Sequence, residues 1–140
     1  MKFRIRGDTI RLRLKRSEVA RLAAGDSIVE ETHFPESVLT YRLDVSENNA
    51  ISASFDNGSI AVTVPKSKVL DWAGTDEVSL HAEQKLPGTS SLSLLIEKDF
   101  SCLEPGHHRD SEDDGDTFPH PRAQSMHVRL QTNGTDVLSG

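Results

Sequence analysis

Six basic residues alternate with apolar ones near the start of the chain: Lys2, Arg4 and Arg6, then Arg11, Arg13 and Lys15. Period-two alternation places all six on one side of a two-stranded ribbon, with Phe3, Ile5, Ile10, Leu12 and Leu14 on the other. Gly7-Asp8 suits a two-residue type II′ turn with glycine first. That turn sets Ile5 opposite Ile10, Phe3 opposite Leu12, Arg4 opposite Arg11 and Lys2 opposite Arg13. Like charges directly across a ladder destabilise it, so this face calls for a compensating anion. Internal carboxylates such as Glu30, Glu31, Asp44 or Glu97 are one source. An acidic protein or a small phosphate-bearing ligand is the other. Nucleic acid is disfavoured, because Phe3 points away from the cations and cannot interleave with them.

A second group that could do chemistry is Cys102 with His107, His108 and His120, beside Asp110, Glu112, Asp113, Asp114 and Asp116. Thiolate and imidazole suit zinc, and the carboxylates suit a harder cation. The spacing argues against both. Only His107-His108 is a tight pair, and adjacent side chains seldom address one metal. The acidic run lacks the full grammar of a calcium hand. Cys102 as a nucleophile needs a depressed pKa and an orienting third group, and neither is visible, so it reads as a small buried hydrophobe. There is no glycine-rich phosphate loop, dinucleotide fingerprint or serine elbow. A triphosphate-tunnel enzyme, which alternates acid and base on its first strand, is set aside because this strand carries only bases.

The elements that must position these residues come in two matching sets. Residues 10–28 align without a gap on residues 60–78, with Ile10 on Ile60, Leu12 on Val62, Ser17 on Ser67, Val19 on Val69 and Leu22 on Trp72. A self-match at fixed period bears on architecture first. The second set repeats the hairpin around Asn57-Gly58, the strongest short hairpin signal, pairing Phe55 with Ile60 and Ala53 with Val62. At the places of Lys2, Arg4, Arg11 and Arg13 it carries Ser52, Ser54, Ala61 and Thr63, so the scaffold does not require charge. Ser17 is the expected N-cap of a short helix presenting Val19, Leu22 and Ala23 and ending near Gly25. Its counterpart opens at Pro65, presents Val69, Trp72 and Ala73, and stops at Gly74, with Trp72 as core packing. A second hairpin follows each helix, turning at Pro35-Glu36-Ser37 and at Leu86-Pro87-Gly88. Leu39, Tyr41, Leu43 and Val45 point inward in one, and Leu92, Leu94 and Ile96 in the other. Two registers stay open for the strand near Glu30. One matches Glu30 to Leu80 and turns it inward; the other turns Val29 inward.

The fold class is therefore α+β: two ββαββ units, residues 2–49 and 52–99, in antiparallel sheets with two short helices on a shared core. One domain spans residues 1–103. Residues 104–140 form an acidic tail containing proline, glycine and histidine that is irregular over 104–122, with a weak alternation at 126–130 that suits an added edge strand. The net charge of −6 hides an asymmetry: residues 1–21 hold eight bases against two acids, and the rest eight against twenty. Such a split marks a face for a charged partner, or one part of the chain docking on another. A single cysteine excludes an internal disulfide framework and fits a reducing, cytoplasmic setting. The opening has no signal-peptide core, and no apolar run is long enough to span a membrane.

The opening M-K-F-R-I-R-G-D-T-I-R-L-R-L, the S-E-V after it, and E-K-D-F-S-C-L ahead of an acidic F-P-containing stretch carry a resemblance. They resemble a small family of uncharacterised bacterial proteins, a domain of unknown function opening M-K-[FIL]-R-I-R-G and carrying E-K-D-F-x-C-L. The resemblance implies a bacterial cytosolic origin and transfers no functional residue. The favoured function is a non-catalytic binding module whose cationic hairpin holds an acidic partner or the chain's own acidic tail. The rival is a small metal-binding protein or metal-dependent enzyme built on Cys102 and the tail histidines. Elemental analysis separates the two.

Overall fold

The computed structural model describes residues 1–100 and 115–119. Strands β1 (Lys2–Arg6) and β2 (Thr9–Leu14) form the first hairpin, and helix α1 (Arg16–Ala23) follows. Strands β3 (Ile28–His33) and β4 (Val38–Ser46) form the second. The order then repeats with β5 (Ser52–Asp56), β6 (Ser59–Pro65), α2 (Lys66–Ala73), β7 (Ser79–Lys85) and β8 (Ser91–Lys98). The class is α+β.

Local pairing follows the alternation. Arg4 lies opposite Arg11, Lys2 opposite Arg13, Phe55 opposite Ile60 and Ala53 opposite Val62. Asn57 and Gly58 both have positive φ, as a type I′ turn requires, whereas in the first hairpin only Gly7 does. Gly58 also comes close to the next strand: a Cβ there would lie 3.2 Å from the Val38 carbonyl oxygen.

The sheets are mixed, not antiparallel. One has the order β1-β2-β8-β7 and the other β3-β4-β6-β5, with β2 parallel to β8 and β4 parallel to β6. Each sheet thus joins one hairpin from each half of the chain. The helices explain why. Eight residues of α-helix span about 12 Å, close to the ~10 Å between packed sheets, so each helix carries the chain from one sheet to the other. The two hairpins of one half end in opposite layers, and each is completed by a hairpin of the other half. Equivalent bonds tie the hairpin turns to their parallel neighbours, the Ser93 amide donating to the Asp8 carbonyl and the Thr40 amide to that of Gly58.

Ile28 lies opposite Leu43, and Leu80 opposite Ile96. Leu43 in turn neighbours Val62, and Ile96 neighbours Leu12. Ile28 and Leu80 therefore take the same place, so the link after α2 is two residues longer than an ungapped match allows. Glu30 corresponds to Ala82, not to Leu80. The shift is even, so facing is preserved: Val29 is exposed and Glu30 turns inward.

One core lies between the sheets, and both helices cover the end where β2 and β6 finish. Trp72 is fully buried there, its indole N–H donating to the Val78 carbonyl. At the opposite end, by the hairpin turns, an open cavity of about 390 Å³ is lined by Ile5, Ile10, Leu39, Phe55, Ile60 and Leu92, with Ala53 and Ser54.

A short piece of the tail falls within the described residues. Residues 115–119 pack on the core: the Phe118 amide donates to the Asp99 carbonyl, its ring lies against Phe100, and Thr117 is buried. The other tail residues lie outside the described ones.

Candidate functional site

The outward face of the β1-β2-β8-β7 sheet can be read as rows across four strands. Lys2, Arg13, Glu97 and Ser79 form one row. Arg4, Arg11, Leu95 and His81 form the next, and Arg6, Thr9, Ser93 and Glu83 the third. Five of the six expected cations therefore share a face.

Their compensation is uneven. Arg11 Nε lies 3.0 Å and Arg13 Nε 3.4 Å from the same oxygen, Glu97 Oε1. Lys2 Nζ lies 3.2 Å from Oδ2 of the buried Asp99. Among the described residues Arg4 and Arg6 have no ion-pair or hydrogen-bond partner. These two, with Thr9, Arg11 and Leu95, line a cavity of about 240 Å³. Two carboxylates answer five cations, which leaves a surplus of positive charge at that cavity. Glu83 lies in the third row but turns toward its own side of the sheet. It accepts hydrogen bonds from the Ser93 and Ser91 hydroxyls and lies 3.0 Å from His81 Nε2. The Ser93 bond chiefly holds its pKa below the usual range against partial desolvation, helped by Ser91 and His81.

Lys15 lies just past the strands that form these rows. Strand β2 ends at Leu14, and Lys15 takes the N-cap position of α1, where its amide donates to Glu18 Oε1 at 2.9 Å. The expected cap, Ser17, lies inside the helix. Asp116 supplies the capping contacts from far along the chain. Its backbone carbonyl accepts the Arg16 amide at 2.7 Å, and its side chain accepts the Ser17 amide at 2.9 Å and the Ser17 hydroxyl. The Ser17 hydroxyl bond chiefly lowers the Asp116 pKa, against slight desolvation and with help from Lys15 and Arg16. The described part of the tail therefore meets the start of α1 and not the Arg4–Arg11 face.

Of the four internal carboxylates named as balancing groups, only Glu97 serves the cationic face. Glu30 Oε2 lies 2.9 Å from the Met1 amino group, which also pairs with Glu18. Asp44 binds Arg42 through both oxygens, at 2.9 and 3.0 Å, and accepts the Ser27 hydroxyl. Burial pushes its pKa up, but the Arg42 and Ser27 hydrogen bonds outweigh this and it falls below its ordinary value. Glu31 stands on β3, in the other sheet. The outward rows of that sheet hold Ser52, Ser54 and Asp56 on β5 and Ser59, Ala61 and Thr63 on β6.

Asp99 and Lys98 were not singled out by their residue types. Lys98 continues the inward alternation of Leu92, Leu94 and Ile96, and that parity was its available signal. It is buried, Nζ donates to the Thr75 carbonyl at 2.8 Å, and it lies over the rings of Trp72 and Phe118. Burial lowers its pKa, with Asp76 and Glu77 pulling the other way.

Cys102, His107, His108 and His120, the zinc candidates, lie outside the described residues, as do Asp110, Glu112, Asp113 and Asp114. Among the described residues no group of three or more histidine, cysteine and acidic side chains could hold a metal ion. No helix among them is long and apolar enough to cross a membrane.

These features define an α+β protein of two mixed four-stranded sheets, with cations concentrated on the outer surface of one. The chain belongs to a family of unknown function, DUF7009, whose model matches residues 1–122. No curated protein matches the chain, and no solved structure does.

Proposed function

We propose that the chain is a non-catalytic binding module, working in a bacterial cytosol, whose β1–β2 face takes the anionic groups of an acidic protein or ligand. The observation that carries this is the contrast within one hairpin. Glu97 and Asp99 answer Lys2, Arg11 and Arg13, whereas Arg4 and Arg6 share a cavity with Arg11 and have no partner among the described residues. The reading takes residues 2–49 and 52–99 as copies of one unit, supported by their shared element order and pairing. At the places of Arg4 and Arg6 the second copy carries Ser54 and Asp56, so folding does not demand cations there. Charge that the scaffold does not need, held where it repels itself, is the kind of local conflict found at binding surfaces.

The test replaces both unanswered cations, Arg4→Ser with Arg6→Ser. Arg11 is left in place because it is committed to Glu97. The variant melts at the parent's temperature or slightly above, within about 0.5 kcal/mol. Heparin and polyglutamate bind the parent, more weakly as salt rises, and bind the variant at least about tenfold less tightly. A clear loss of melting temperature, with no anion binding by the parent, overturns the reading.

A further inference from the structure

Among the described residues strand β1 is an edge of its sheet, and the hairpin fixes its hydrogen-bonding pattern. In an antiparallel pair closed by a two-residue turn, the residues flanking the turn exchange hydrogen bonds, and alternate pairs do so thereafter. Arg6 with Thr9, Arg4 with Arg11 and Lys2 with Arg13 are the bonded pairs. The N–H and C=O groups of Phe3 and Ile5 consequently point out of the sheet edge. The companion hairpin bears this alternation out. There the matching residue, Ala53, faces outward and is sealed: its amide donates to Gln84 Oε1 at 2.7 Å, and its carbonyl accepts from Gln84 Nε2 at 3.1 Å. At the corresponding place on β3 the chain has Thr32, and no bond from it to β1 closes the edge.

We infer that β1 accepts an added strand, an extended segment of a partner protein in which acidic and apolar residues alternate. This rests on the binding reading above and names the partner's chemistry. An unsealed edge is a template for another strand, and its side chains decide which. A strand laid along β1 sets alternate side chains beside Lys2, Arg4 and Arg6 on the outward face. Acids there answer the two arginines that lack partners. The intervening side chains fall beside Phe3 and Ile5. Ile5 is 55% exposed and lines the apolar cavity that Leu39 and Phe55 share, so apolar residues extend that lining. A second copy of this chain is the wrong occupant, because pairing β1 with β1 adds three cations to three.

The probe is a synthetic peptide alternating glutamate and valine, titrated into the full chain and followed by amide NMR and calorimetry. The peptide shifts the Phe3 and Ile5 amides and slows their hydrogen exchange, and its affinity falls with salt. Two changes remove backbone pairing without touching charge. Ile5→Pro deletes an outward N–H, which edge strands tolerate, and N-methylation of alternate peptide amides does the same from the other partner. Each weakens binding at least about tenfold, equivalent to about 1.4 kcal/mol. Should Ile5→Pro fail to fold, the methylated peptide alone decides. If both leave binding unchanged, strand addition is overturned while the anion face stands. If heparin and polyglutamate bind but the alternating peptide does not, the result is the same. If none of the three binds, both readings fall.

Discussion

The Ser17 hydroxyl and amide both donate to the carboxylate of Asp116, a residue about a hundred positions later, and this contact seals the first turn of α1. A helix of eight residues leaves a large share of its amides without internal partners, so the contact matters more here than in a long helix. Asp116→Ala therefore costs about 0.5–1 kcal/mol, the lower part of the range for lost caps, because the site is exposed. The sign with pH follows from the lowered Asp116 pKa. Its contribution is complete above the unfolded carboxyl pKa and is lost as pH falls through the lower folded value. Faster hydrogen exchange at the Ser17 amide in the variant checks the assignment; unchanged exchange there rules it out.

That contact also marks a boundary of what the sequence discloses. Alternation in residues 2–14 and 52–65 gives the pairings of the β1–β2 and β5–β6 hairpins and the facing of the cations on β1 and β2, because a strand's period and turn are local. Ser17 carries the usual N-cap signal, yet the cap comes from a region with no period at all. Nothing near Asp116 announces its partner. The parallel neighbours β2–β8 and β4–β6 were hidden for the same reason: alternation says which face a residue takes and not which hairpin lies beside it. The surplus at Arg4 and Arg6 was legible as repulsion. Its uneven relief depended on Asp99, which is placed by the exit of β8 and not by any pattern. Glu30 falls between these cases: its inward facing is one of two registers the sequence leaves open, and its match to Ala82 is concealed by the two extra residues after α2.

Gln84 joins the two sheets along one seam by bonding both backbone groups of Ala53. Gln84→Ala removes two hydrogen bonds at about 0.5–1.5 kcal/mol each and unseals β5. The melting temperature falls, and exchange quickens at the Ala53 amide while the Phe55–Ile60 pairing holds. Gln84→Glu restores the acceptor for the amide but not the donor for the carbonyl, so it recovers only part of the loss. Full recovery by glutamate would show that the carbonyl bond contributes nothing.

Lys98 gives the chain an alkaline signature. Burial lowers its folded pKa below the unfolded value, so over that interval the unfolded chain binds more protons. Stability consequently rises with pH between the folded pKa and about 10.4. Lys98→Met keeps the packing against Trp72 and Phe118 and removes this rise. Subtracting the melting curves of parent and variant across that interval isolates the contribution. A flat difference would mean that the lysine keeps its proton as readily folded as unfolded.

Glu97 is the residue that separates structural from binding charge on the cationic face. One of its oxygens serves Arg11 and Arg13, and its side chain is only 18% exposed. Glu97→Gln keeps the shape and removes the carboxylate charge that answers Arg11 and Arg13. The loss is about 1 kcal/mol, at the upper end for such pairs because one carboxylate answers two cations. Added salt of any kind recovers part of it by screening. If the cavity lined by Arg4, Arg6 and Arg11 is an anion site, inorganic phosphate does more than screen. It binds the folded state alone and raises the melting temperature of the variant above its value in chloride of equal ionic strength. The gain is larger in the variant than in the parent, because Arg11 is released to the cavity. Equal recovery in phosphate and chloride would show a face that is merely repulsive, with no site on it.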